Sequence, residues 1–148
     1  LLRRRTEEGL KNIYAIPRKE CVEQCIRALR HNEILFILLD QNFGNGRGVF
    51  VDFFGEKAAT GTGPVVFSSR TGATILPMFI IREEGDYHRV IIEPIFELEQ
   101  GVTDEEILQK NVQRITDIIE RYIRKYPHEW GWMHRRWKTK PDQEKKNS

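Results

Sequence analysis

Residues 40–64 read DQNFGNGRGVFVDFFGEKAATGTGP, and the fold turns on how this stretch is understood. It follows the apolar run ILFILL at 34–39, which is too short to span a bilayer. Such a run predicts a buried strand delivering Asp40 and Gln41 to its carboxyl end, the place where α/β folds bind ligands. Gly44, Gly46 and Gly48 then give a loop whose backbone can come close to a ligand. Arg47 stands inside that loop as a fixed cation with a planar fork of donors. Phe50, Phe53 and Phe54, followed by Gly55, set aromatic surface beside these polar groups. The small-residue segment 58–63, with Thr60, Thr62 and Gly63, opens a helix in a way that suits an oxyanion or phosphate. Polar anchors beside an apolar wall point to an amphiphilic substrate.

Working outward, residues 1–11 have a helical pattern, residues 12–16 a short-strand pattern, and Pro17 suits the first turn of a helix. Val22, Cys25, Ile26 and Leu29 continue at helical spacing to about Asn32. On the other side, 65–70 extends the helix opened after Thr62, and Gly72 ends it. Residues 73–82 and 87–98 form an antiparallel hairpin pattern around the Glu84-Gly85-Asp86 turn. Pro77 and Pro94 each remove a ladder donor and mark edge positions or bulges. Thr103 and Glu106 make a capping box. It starts the longest helix, whose stripe of Leu108, Val112, Ile115, Ile119, Tyr122 and Tyr126 faces a core and ends at Pro127. The expected architecture is α/β, one domain over 1–141 with a mixed central sheet flanked by helices. Residues 142–148, polar and without apolar anchors, are expected to be a disordered tail.

At 148 residues the chain is long enough for one substantial core. No apolar run reaches the length of a membrane-spanning helix. Cys21 and Cys25 lie one helical turn apart and are expected to be reduced core or boundary residues, since two cysteines supply too few metal ligands. Reduced thiols fit a cytosolic compartment. The net charge of +2 conceals a division: residues 83–120 hold 11 acids against 3 Lys/Arg, and residues 121–148 hold 9 Lys/Arg against 3 acids. Trp130, Trp132 and Trp137, interleaved with Arg135, Arg136 and Lys138, suit contact with an anionic membrane surface or head group. Packing of the Trp residues on the core, with a solvated tail, is the alternative.

His88 and Glu93 are separated by four residues, the spacing of a His/acid motif. On a strand, however, an odd separation puts the two on opposite faces. His31 ends a helix, where a cation favours the dipole. Asp40 has three readings: a general base, an orienting group for a histidine, or a structural carboxylate capping the loop. Arg47 suits a phosphate or carboxylate. The glycine triplet is not a dinucleotide fingerprint, because the spacing is wrong and no helix opens directly after it.

The order Asp-Gln, Gly/Arg loop, Phe-Phe-Gly, Ala-x-Thr-x-x-Gly and Ile-Leu-Pro-Met-Phe at 75–79 resembles the lipid A biosynthesis acyltransferases, the bacterial lauroyl/myristoyl transferase family. The ending WMHRRWKTKP at 132–141 is similar to that family's C-terminal signature. Arg5, four residues before Gly9, resembles the family's arginine ahead of a glycine, a phosphate or oxyanion contact. The family's His-x4-acid motif lies upstream of a segment like residues 1–11 and has no counterpart here. The resemblance therefore implies the C-terminal portion of such an enzyme, and the start with Leu inside a basic segment fits a fragment.

The resemblance further implies transfer of a fatty acyl group from acyl carrier protein or coenzyme A to an anionic glycolipid acceptor, at the cytoplasmic face of the bacterial inner membrane, without metal or redox cofactor. Asp40, Gln41, Arg47, Phe53, Phe54, Gly55, Thr60, Thr62 and Gly63 would then form the acceptor-phosphate and acyl-chain environment, with Asp40 in a supporting role. Two alternatives are a non-catalytic lipid-binding domain of the same ancestry and a nucleic-acid-binding module using the Trp-rich basic end. Against the last, the Trp residues fall in one short segment and overall charge is near balance.

Overall fold

The computed structural model describes residues 16, 21–44, 48–101 and 103–141. The chain divides between Phe36 and Ile37 into two compact units. In the first unit, helix α1 spans Cys21–Arg30. It closes with Asn32 in the left-handed region at φ 59°. Glu33 N donates to Ala28 O, and Asn32 N to Leu29 O, the paired bonds by which helices commonly end at glycine or asparagine. Both cysteines are free thiols, and Cys25 is buried. Burial pushes its thiol pKa up.

The second unit is built on a hairpin. Strands β1 (Val49–Phe53) and β2 (Glu56–Thr60) pair antiparallel, with Phe53 opposite Glu56. Phe54 at φ 54° and Gly55 at φ 79° make the two-residue turn between them. Positive φ at both centres matches the strands' right-handed twist. Helix α2 (Gly63–Thr71) follows, with Thr62 at its N-cap and Gly72 left-handed at its C-cap. A second hairpin pairs β3 (Met78–Arg82) with β4 (His88–Ile92). An isolated bridge between Ile75 and Phe96 lies on the far side of Pro77 and Pro94. The prolines interrupt the expected longer strands because neither can donate to a ladder.

Helix α3 (Asp104–Lys125) begins at the expected capping box, with Thr103 and Glu106 bonding reciprocally. Its apolar stripe works as anticipated. Val112 and Ile115 close a core with Val51, Val65 and Phe96, while Leu108 and Ile119 pack at its margin. Tyr122 stacks on Phe79, ring centroids 3.7 Å apart. The same helix also completes the outer edge of β1 with polar side chains. Gln109 Nε2 donates to Phe50 O at 2.7 Å, and Gln113 both accepts from Asp52 N (2.7 Å) and donates to Asp52 O (2.9 Å). Glu120 accepts from Phe54 N at 2.6 Å. Side chains thus take the place of a third strand on an edge that would otherwise need one.

Two expectations are corrected here. In place of one mixed central sheet, the described residues hold two separate two-stranded antiparallel sheets. Residues 34–39 are not a buried strand: they have no regular secondary structure, and Ile34 and Leu38 are 82% and 79% exposed. Apolar composition supplies a reason to be buried, but a strand also needs a neighbouring backbone to pair with. Among the described residues none pairs with this run. The expected tail at 142–148 lies outside the described residues, as does the pattern at 1–11.

Candidate functional site

Asp40 stands two residues ahead of a segment clamped from the C-terminal side of the chain. Its Oδ2 accepts the indole N–H of Trp130 at 3.2 Å. Asn42 and Thr139 exchange two bonds: Asn42 Nδ2 donates to Thr139 Oγ1 (3.1 Å), and Thr139 N donates to Asn42 Oδ1 (3.2 Å). Phe43 N then donates to Ala59 O of β2 at 3.0 Å. Gln41 is exposed between these anchors.

Arg136 lies behind them and is only 1% exposed. Its Nη1 donates to Ala59 O at 2.7 Å, its Nη2 donates to Thr60 Oγ1, and its guanidinium sits 5.0 Å from the Phe53 ring centre. Burial pulls its pKa down to about 10, and the charge of Asp40 acts in the opposite direction. The residue stays a cation at neutral pH and forms, with Asp40, the charged centre of the site. Among the described residues its Nε and the Trp137 Nε1 are buried donors with no protein acceptor.

Aromatic rings fill the space around this pair. Phe53 is stacked with Trp137 (5.6 Å) and meets Trp130 edge-on (5.8 Å). Phe54 stacks with Trp130 at 6.3 Å and lies under the Arg124 guanidinium, 4.6 Å from its ring centre. Phe53, Ala58 and Ile123 form the buried part of this second core, with Trp130 and Trp137 packed against it.

The sequence-predicted residues therefore separate. Asp40, Phe53, Phe54, Thr60, Trp130, Arg136 and Trp137 come together. Thr60 is buried, and its hydroxyl donates to Ala58 O at 3.1 Å while accepting from Arg136, so it faces protein rather than a bound anion. Thr62 caps α2 by position alone, with no side-chain cap bond, and Gly63 opens the helix. Gly55 is exposed at the hairpin turn. Gly48 does approach another group closely, but that group is β2: a Cβ there would lie 2.6 Å from Thr60 O. Arg136 and Trp137 are not head-group contacts on an outer surface, since one is buried and the other is packed on Phe53. Trp132, Arg135 and Lys138 remain exposed. Arg5 and Arg47 lie outside the described residues. His88 and Glu93 form no dyad, because the Glu93 carboxylate is taken by Tyr122 Oη and by Arg121 Nη2 (2.7 Å).

Asn42 and Thr139 are the pairing that sequence reasoning missed. They are 97 positions apart, and neither type signals a long-range bond. The Gln109, Gln113 and Glu120 edge was more accessible, because the three recur at helical spacing on one side of α3.

Residues 3–139 match the family described as bacterial lipid A biosynthesis acyltransferase. The chain belongs to that family. Over 119 residues it is 34% identical to a lipid A biosynthesis palmitoleoyltransferase of Escherichia coli strain K12, covering 78% of this chain and 37% of that protein. A lipid A biosynthesis lauroyltransferase of the same strain is 31% identical over 121 residues, covering 79% of this chain and 38% of its own length. A lipid A biosynthesis acyltransferase of Haemophilus influenzae is also 31% identical, covering 80% of this chain and 38% of that protein. The chain thus spans under two fifths of the length of these relatives. The clamp around Asp40 and Arg136 lies within the stretch that matches this family.

Proposed function

We propose that these residues are the C-terminal portion of an acyltransferase with the family's fold, one that moves a fatty acyl chain from an acyl thioester to a hydroxyl of a lipid A precursor or related glycolipid. The match over residues 3–139 carries this reading. Acyl carrier protein or coenzyme A would present the thioester, and the enzyme would work at the cytoplasmic face of the inner membrane, with this portion held peripherally. Among the described residues no helix is long and apolar enough to cross a membrane.

In the proposed reaction a histidine beyond these residues deprotonates the acceptor hydroxyl. The oxygen attacks the thioester carbonyl, positioned donors stabilise the tetrahedral oxyanion, and the thiolate leaves to take up a proton. No metal or redox cofactor enters this sequence. The resemblance motivates a histidine outside these residues, and that placement is supported by the chain's own His-x4-acid match, His88 with Glu93, not being assembled as a pair. The contribution of this portion is the acceptor and acyl-chain environment around Asp40 and the partly exposed Phe54, with Phe53 buried behind them.

The test is acyl transfer by the purified 148 residues and by the open reading frame extended upstream of Leu1, with acyl carrier protein and coenzyme A donors. Loss of the general base costs on the order of 10² to 10⁴ in rate, so turnover is expected from the extended chain only. Equal turnover by both overturns the division of roles. Lipid binding by the extended chain without turnover would instead favour a non-catalytic lipid-binding domain of the same ancestry.

A further inference from the structure

Beyond residue 130 the chain makes a series of tight turns. Trp132 N donates to Trp130 O (2.9 Å), His134 N to Gly131 O (3.0 Å), and Lys138 N to Arg135 O (3.1 Å). The Trp132 indole N–H is tied to Pro127 O at 2.6 Å, and its ring meets Trp130 edge-on at 4.7 Å. Trp132 is therefore a fixed platform, yet it is 56% exposed, and Met133 beside it is 98% exposed. Two large apolar side chains are thus held at a turn, one more than half exposed and the other almost wholly so.

The charges around this tip decide what suits it. His134, Arg135, Lys138 and Lys140 are all exposed within seven positions of Met133. Over 127–141 the sole acid is Glu129, half-buried, accepting from Arg82 N and facing His128. A second exposed apolar surface, the outer face of β3 and β4 with Met78, Ile80, Val90 and Ile92, lacks such an excess of cations. Around it Glu83, Glu84, Asp86 and Glu93 stand with Arg82 and Arg89, and Glu83 is paired with Arg89 and Glu93 with Arg121. An anionic surface would attract the first and offer the second no such attraction.

We propose that the turn at 131–134 docks on an anionic bilayer, with Trp132 and Met133 entering at the head-group level and Arg135, Lys138 and Lys140 forming a cationic collar. Trp rings favour that depth, and basic side chains beside them engage anionic head groups. The inference rests on the membrane placement proposed above and assigns it to particular residues. Trp130, Arg136 and Trp137 are excluded from the contact because they hold the clamp from inside.

Co-sedimentation of the 148-residue chain with vesicles tests this, using phosphatidylcholine alone and an equimolar mixture with phosphatidylglycerol. Binding is expected only to the mixed vesicles and is expected to fall in high salt. Met133→Glu should weaken it on the order of tenfold or more, Met133→Leu should restore it, and each of Arg135→Gln and Lys138→Gln should weaken it about fivefold. Since these side chains are exposed, melting temperatures should match the parent chain. Ile80→Ser on the other apolar face should leave binding intact. Brominated lipid should quench indole emission, and Trp132→Phe should remove most of that quenching. Absence of binding to both vesicles overturns the membrane placement itself. Binding that survives Met133→Glu, or that Ile80→Ser abolishes, overturns only the docking tip, and neither result bears on the acyl-transfer assay.

Discussion

Arg136 is a cation with almost no access to water, placed so that one planar group bridges two consecutive positions of β2 and faces a carboxylate from another segment. Removing one partner of a buried charge leaves the other uncompensated, which is more damaging than the pair itself is stabilising. Arg136→Ala is expected to destabilise the fold by about 3 kcal/mol, read from urea unfolding at constant m. Arg136→Lys should recover only part of this, because an ammonium cannot reach both Ala59 O and Thr60 Oγ1 with one planar fork. Asp40→Asn should lower the midpoint less than Arg136→Ala, since an amide oxygen can still accept from Trp130. Equal losses in the three variants would remove the bridge as the reason for burying Arg136. The lowered pKa also has a direction: the folded state releases this proton before the unfolded state does, so its contribution to stability rises with pH only above about 10. Between pH 6 and 9 the residue adds no pH dependence.

At the scale of elements, α3 is the member that the others depend on. Its N-terminus is satisfied by Thr103 and Glu106. Thr103→Ala should therefore cost about 1 kcal/mol, measured by denaturant unfolding, and Thr103→Ser should cost much less. Near its C-terminus the helix holds the end of β4 through Glu93, whose carboxylate is kept below its ordinary value of 4.5 chiefly by the Tyr122 hydrogen bond, with Arg121 adding to the effect. A carboxylate depressed in the folded state stabilises above its unfolded pKa and loses that contribution as pH falls through the folded value. Glu93→Gln is thus expected to melt below the parent chain at pH 7, with the difference shrinking as pH drops below 4.5. A difference that stays constant from pH 7 to 3 would show that this hydrogen bond and ion pair do not set the acid response.

At the scale of the whole molecule, the outer face of β3 and β4 leaves Met78, Ile80, Val90 and Ile92 exposed in cross-strand pairs. Contiguous apolar surface of this kind promotes association. The isolated chain is expected to self-associate with rising concentration, and Ile80→Lys with Val90→Lys should suppress this in sedimentation velocity without lowering the melting temperature. Association unchanged by both substitutions would exonerate the face.

The sequence by itself determined the elements whose signals are local. The capping box and stripe of α3, the end of α2 at Gly72, and the hairpin around residues 84–86 all depend on side chains within a few positions of one another. It also carried the family, because the ordered motifs at 40–79 resemble the family whose match spans residues 3–139. The first hairpin was hidden because its turn uses Phe54 rather than Asn or Gly in the left-handed region, a conformation costing about 1–2 kcal/mol in a non-glycine residue. The packing of Phe54 on Trp130 helps offset that cost, and Trp130 lies far away in the sequence. Only the tertiary structure decided that Arg136 and Trp137 turn inward while Trp132 and Met133 turn outward. Tryptophan falls on both sides of that division. What separates the residues is whether Asp40, Ala59, Thr60 and Phe53 stand close enough to receive them.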